Sequence, residues 1–206
     1  MKAAVFDMDG TLVDTWPSIY RCINQVVVEF GREPFAEAEL KPLVGTLIQD
    51  IFRRKGVDPA KGRPRYREIY LASYHQDSRA YPGSIEMLRS LKANGVRTAV
   101  ITMRLGGMAR TILDDFGQGR YLDVVLGEDE VTKPKPNPEH VWEALKRVGV
   151  EPKDAAMVGD TEFDMLAGMN AGCRPIGVSW GYGKPGNAGR IEIVDDFAQL
   201  ENAILR

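Results

Sequence analysis

The sequence predicts an α/β fold: a parallel sheet with helices on both faces, and a helical insert after the first strand. Three observations carry this. Short apolar runs recur at Ala3–Phe6, Thr98–Thr102, Val124–Leu126, Ala155–Val158 and Arg174–Val178, each bounded by Gly, Asp, Pro or Lys. Segments of helical period lie between them, the strand–helix alternation of a parallel sheet. From about Pro17 to Tyr81 the alternation stops and only helical patterns remain.

The elements follow in chain order. Ala3–Phe6 is the first strand, and it runs into Asp7-Met8-Asp9-Gly10-Thr11. Ser18–Phe30 is helical, with an apolar stripe at Ile19, Ile23, Val26, Val27 and Phe30. Glu37–Leu43, Leu47–Lys55 and Arg65–Gln76 continue the insert as helices that Gly and Pro separate. Ser84–Lys92 is amphipathic and stops at Asn94-Gly95. Leu105–Phe116 and Pro138–Val148 read the same way, the second with Asn137 as N-cap and Pro138 in the first turn. Asp164–Ala171 is a short helix closed by Gly172. Gly181–Gly189 is a glycine-rich loop, and Ile191–Val194 is a last strand. This order divides the chain into an α/β core, residues 1–15 and 80–206, and a helical domain, residues 16–79.

Composition narrows the function. The 206 residues suffice for one sizeable domain or a core with an insert. Net charge is −2 and no basic block occurs, so neither nucleic acid nor an anionic membrane is an expected partner. The apolar runs are strand-sized, too short to span a bilayer, and the residues before Asp7 are too few for a signal peptide. Cys22 and Cys173 lie far apart and fit no metal-site spacing, which predicts buried thiols and a reducing cytoplasm. His75 and His140 are single, and both are expected at the surface. Whether the chain is a monomer or a homodimer is left open.

In an open parallel sheet, ligands bind beyond the C-terminal strand ends. Asp7 and Asp9 follow the first strand, Thr102 ends the second, the third leads through Glu128 and Asp129 to Lys133 and Lys135, and Asp160 and Asp164 follow the fourth. One rim thus collects carboxylates, a hydroxyl and lysines. Carboxylate oxygens suit a hard cation such as Mg2+. Lysine, hydroxyl and the backbone N–H groups of a glycine turn suit a phosphoryl group. A carboxylate can also attack phosphorus, and a second one two residues on can carry protons. Asp160 and Asp164 share a helix face if the helix has begun at Asp160. Glu162 between them is a rival ligand.

These segments are similar to the four motifs of the haloacid dehalogenase-like superfamily, in its order: Asp7-Met8-Asp9-Gly10-Thr11, Thr102, Lys135 before Pro136-Asn137-Pro138, and Gly159-Asp160-Thr161-Glu162-Phe163-Asp164. Tyr81-Pro82-Gly83 and Val178-Ser179-Trp180-Gly181-Tyr182-Gly183 resemble its phosphoglycolate phosphatase-like group. The resemblance implies a Rossmann-like core and a small α-helical cap inserted after the first strand. It implies a cytoplasmic, Mg2+-dependent hydrolysis of a small phosphorylated metabolite. Asp7 would be the nucleophile and a metal ligand, and Asp9 the acid/base with its backbone carbonyl on the metal. Thr102 and Lys135 would hold phosphoryl oxygens, Asp160 would bind the metal, and Asp164 would stand behind it or hold the lysine. Gly10 and Thr11 shape the loop.

Several alternatives stay open on the sequence. Lys133 competes with Lys135, and the helix start favours Lys135. Thr102-Met103-Arg104 departs from the family pattern, in which Asn or Ser often follows the Thr. The Met103 backbone can still donate to phosphate, while Arg104 either reaches an anionic substrate or is a surface residue at the helix start. Gly45-Thr46 sits where related caps turn a loop toward the substrate. A phosphosugar mutase and a non-catalytic metabolite-binding protein are the competing functions.

Overall fold

The computed structural model describes all 206 residues. Its strands are β1 (Ala3–Phe6), β2 (Val13–Asp14), β3 (Arg79–Ala80), β4 (Arg97–Ile101), β5 (Val124–Leu126), β6 (Ala155–Gly159), β7 (Arg174–Val178) and β8 (Glu192–Val194). Six of them form one parallel sheet in the order β5-β4-β1-β6-β7-β8. The two-residue strands β2 and β3 pair separately. Contacts divide the chain into two units, Met1–Val13 with Ala80–Arg206, and Asp14–Arg79. No helix is long and apolar enough to cross a membrane.

The first unit is the α/β body. β1 is central, with Val5 in register with Ala99 on one side and Met157 on the other. Every residue of β1 is buried, as a strand covered on both faces requires. Alternation sends Ala3, Val5, Ala99, Ile101, Ala155 and Met157 to one face, where they pack on α7 (Glu139–Val148) and α8 (Glu162–Ala171). α5 (Ser84–Ala93) packs on β4 and on α9 (Phe197–Leu205), and α6 (Gly106–Asp115) packs on β5. From β1 the chain runs outward through β4 to β5, then returns to β6 on the other side of β1. The β1/β6 crevice is therefore the switch point at which an open α/β sheet offers a binding cleft.

The second unit is helical: α1 (Trp16–Glu29), α2 (Glu37–Leu40), α3 (Ile48–Arg54) and α4 (Pro59–Ser73), followed by a 3-10 turn at Tyr74–Gln76. α1 and α3 both pack on α4. A ladder of rings, Phe52, Tyr66, Tyr70 and Tyr74, runs through it at centroid spacings of 6.3, 5.5 and 5.7 Å.

Three expectations need correction. α4 begins at Pro59, not Arg65, and carries Pro64 inside it. Asp58 caps it by accepting from the Ala60 N–H at 3.0 Å, and burial of Tyr66, Ile69 and Tyr70 outweighs a proline cost of about 3 kcal/mol. The stretch up to Tyr81 is not free of strand, since β3 lies there. Asn137 caps α7 as expected: its side-chain oxygen accepts from the Glu139 N–H at 3.1 Å, and Pro138 already has helical backbone angles, φ −72° and ψ −8°. His140 is fully buried, not at the surface. Its Nε2 lies 2.9 Å from the Gly127 carbonyl, so the neutral imidazole donates there and the burial is satisfied on that side.

Candidate active site

β1 ends where the Asp7 N–H donates to the Val158 carbonyl of β6 at 2.8 Å. The chain then closes a turn, with Gly10 N–H donating to Val13 O at 2.9 Å and Leu12 N–H to Met8 O at 3.0 Å. Gly10 has φ +82°, and a Cβ there would stand 2.6 Å from Asp160 Oδ2. Only glycine meets both demands.

Three buried acids converge on this turn. Ligand oxygens of Asp7, Asp160 and Asp164 all lie within 4.8 Å of one another. The Lys135 ammonium donates to Asp7 Oδ1 at 2.5 Å and to Asp164 Oδ1 at 2.6 Å, with its side chain 2% exposed. Lys133 is exposed, so the geometry selects Lys135. α8 begins at Glu162, so Asp160 precedes the helix and the two acids do not share a helical face. Thr161 is the N-cap: its hydroxyl accepts from the Asp164 N–H, while Asp164 Oδ2 accepts from the Thr161 N–H at 3.0 Å and hydroxyl at 2.6 Å. Both oxygens of Asp164 are thus committed, one to the cap and one to Lys135. Asp160 Oδ2 accepts from the Tyr182 and Gly183 N–H groups at 2.7 and 3.0 Å, and Oδ1 from the Thr11 hydroxyl at 3.4 Å. Glu162 stands in the first turn of α8, outside the acid cluster.

Asp9 faces a different cation. Arg104 donates from Nε to both its oxygens at 2.9 Å and from the terminal nitrogen Nη2 at 2.7 Å. Arg104 is buried, which rules out the surface reading. Thr102 is fully buried, and its hydroxyl accepts from the Arg104 N–H at 3.2 Å. That leaves its own proton to donate. Met103 between them is half-buried. Gly45 lies in the helical unit, in the turn before α3, with φ +92°. The Tyr182 and Gly183 amides were missed because a backbone donor has no side-chain signature. The only signal was the glycine spacing in Trp180-Gly181-Tyr182-Gly183.

The charges are unbalanced. Burial raises the Asp7 carboxyl well above its usual range, Lys135 pulls it back, and Asp164, Asp160 and Asp9 push it further up. Burial and Asp164 push Asp160 up to about 6, against the pull of the Tyr182 and Gly183 amides. Burial alone would lower the Lys135 ammonium, but Asp164 and Asp7 outweigh it and hold it charged. Three carboxylates against one ammonium leave an excess that a divalent cation would neutralise, and an all-oxygen donor set suits Mg2+. The residues present fit such an ion.

A family model described as haloacid dehalogenase-like hydrolase matches residues 4–178. The chain belongs to the haloacid dehalogenase-like hydrolase family. This hydrolase is 33% identical over 214 residues to a phosphoglycolate phosphatase of Rhodospirillum rubrum, covering 97% of the chain and 89% of the relative. It is 32% identical over 197 residues to phosphoglycolate phosphatase 1 of Pseudomonas aeruginosa, covering 89% and 72%. The crystal structure of a predicted phosphatase from Clostridium acetobutylicum superposes with a TM-score of 0.87 at 25% identity, covering 99% of this chain and 98% of that one.

Proposed function

We propose that this hydrolase is a Mg2+-dependent phosphatase that cleaves a small phosphomonoester through an aspartyl-phosphate on Asp7. Phosphoglycolate is the first substrate to test, since it names the relatives. The observation that carries the reading is the buried Asp7–Lys135–Asp164 triad beside Asp160. Lys135 occupies Oδ1 of Asp7, and Oδ2 is the oxygen left to attack. The Asp7 oxygen that does not attack, Asp160 Oδ1 and the Asp9 carbonyl would hold the cation, while Asp164 supports Lys135. When bound, the cation supplies positive charge to the phosphoryl oxygens.

In the first step the Asp7 oxygen bonds to phosphorus, the ester P–O bond breaks, and the leaving oxygen takes a proton from Asp9. In the second, water attacks the phosphorus, Asp9 takes its proton, and inorganic phosphate leaves a regenerated Asp7. Asp9 must exchange Arg104 for the leaving oxygen to do this. Lys135, the Thr102 hydroxyl and the Met103 backbone N–H offer donors to the phosphoryl oxygens as charge moves onto them. The helical unit Asp14–Arg79 acts as the cap that selects the substrate.

Phosphate release from phosphoglycolate and from an aryl phosphate, with Mg2+ and with a chelator, tests the reading. Turnover is expected only with Mg2+, and Asp7→Asn is expected to abolish it. Full activity in chelator excludes the mechanism. Isomer without free phosphate from a hexose phosphate identifies a mutase instead, and tight metabolite binding without turnover identifies a binding protein.

A further inference from the structure

The loop after β7 wraps Asp160 more closely than a passive connection needs to. Trp180 donates from its indole N–H to the Thr11 carbonyl at 3.1 Å, which ties the loop to the Gly10 turn. Its ring packs on Phe197 and Tyr81, at centroid distances of 4.7 and 6.4 Å. The next three residues close over the acid. A Cβ on Gly181 would overlap the Asp160 side chain, and one on Gly183 would stand 2.6 Å from the Asp160 carbonyl. The Tyr182 and Gly183 N–H groups between them take Asp160 Oδ2. The Tyr182 ring lies against Gly10, at 3.0 Å from where a Cβ would be.

We propose that Trp180–Gly183 is a positioning clamp that fixes the rotamer of Asp160 and makes it a one-oxygen ligand, presenting Oδ1 toward Asp7. The inference rests on the metal-dependent reading above. An unclamped carboxylate rotates and turns either oxygen to any donor within reach. With Oδ2 held by two amides, the carboxylate is ordered before a cation arrives, and less order is lost on binding. Groups standing behind a metal ligand typically govern metal affinity by about 10–100-fold. Trp180 acts at one remove: its indole bond keeps the loop in register with the Gly10 turn, on which Asp7 and Asp9 also sit.

The test is calorimetric titration of the substrate-free full chain with Mg2+, alongside its metal-free thermal melt. Gly181→Ala places a methyl group on Asp160 and is expected to weaken Mg2+ binding about 10–100-fold. Trp180→Phe keeps the ring packing and loses only the N–H, and is expected to weaken Mg2+ in the same direction with the metal-free melting temperature held. If Gly181→Ala lowers that temperature, Trp180→Phe decides alone. Wild-type affinity in a variant that melts like the parent overturns the clamp while leaving the phosphatase reading intact. A parent chain that binds no Mg2+ and hydrolyses phosphate esters in chelator overturns both.

Discussion

At the scale of single residues, the site is a problem in buried charge. Lys135 is the one ammonium between Asp7 and Asp164, and its side chain is almost fully enclosed. Removing one partner of such a pair leaves a charge without compensation, at a cost of about 3–5 kcal/mol. Lys135→Ala is therefore expected to lower the urea-unfolding free energy by about that amount at pH 7. The sign of its pH dependence follows from Asp7. Burial raises this carboxyl in the folded chain, and without Lys135 nothing opposes the rise. A raised acid favours folding below its unfolded value and loses that advantage as pH rises through its folded value. The deficit of Lys135→Ala should accordingly shrink as pH is lowered toward 5. A deficit that grows on acidification would place the stabilising charge elsewhere. Arg104 makes a parallel case, since Arg104→Gln strips the bidentate partner from Asp9. A change in kcat without a matching change in KM is the expected signature of an altered hold on the proposed proton carrier.

Helices and strands bring these residues to one place. The N-terminus of α8 joins a cap to the acid cluster, because Asp164 is both the third residue of its capping box and a partner of Lys135. Thr161→Ala is expected to cost about 1 kcal/mol in stability and also to loosen Asp164 Oδ2. Thr161→Ser should recover both, as read by urea midpoint and by Mg2+ titration. Much of this level was legible in advance. Ala3–Phe6, Val124–Leu126 and Arg174–Val178 are strands within the residues their apolar runs mark, because a strand buried on both faces leaves a continuous apolar signature. Pro64 in α4 was illegible for the opposite reason. A local breaker predicts a stop, and only the aromatic ladder that α4 buries makes the helix continue through it.

For the whole molecule, linkage converts local contacts into global stability. His140 sits buried under the loop after β5, and its pKa is lowered to about 4, chiefly by burial. The unfolded chain titrates near 6.5, so it binds more protons between these values. Stability is then fully present above about pH 6.5 and lost as pH falls toward 4. One such group contributes at most about 1.4 kcal/mol per pH unit. His140→Gln keeps a donor for Gly127 and should flatten the pH profile of the urea midpoint in that window. An unchanged slope would place the titrating group elsewhere. The proposed Mg2+ would act on the same scale: a ligand that binds only the folded chain stabilises by about 2.7 kcal/mol at 100 times its Kd. The melting temperature should rise with Mg2+ in the parent and hardly at all in Asp160→Asn.

The sequence by itself determined the α/β class, the helical insert and the residues gathered at one rim, Asp7, Asp9, Thr102, Lys135, Asp160 and Asp164. It could do so because period and strand-end position are local properties of a chain. Only the tertiary structure decided how those residues are paired. Lys135 stands between Asp7 and Asp164, Arg104 is turned inward onto Asp9, and two backbone amides from a loop more than twenty residues beyond Asp160 hold that acid. Pairing depends on which groups meet beyond the neighbouring C-terminal ends of β4, β1, β6 and β7, and burial then fixes which of those meetings a charge requires.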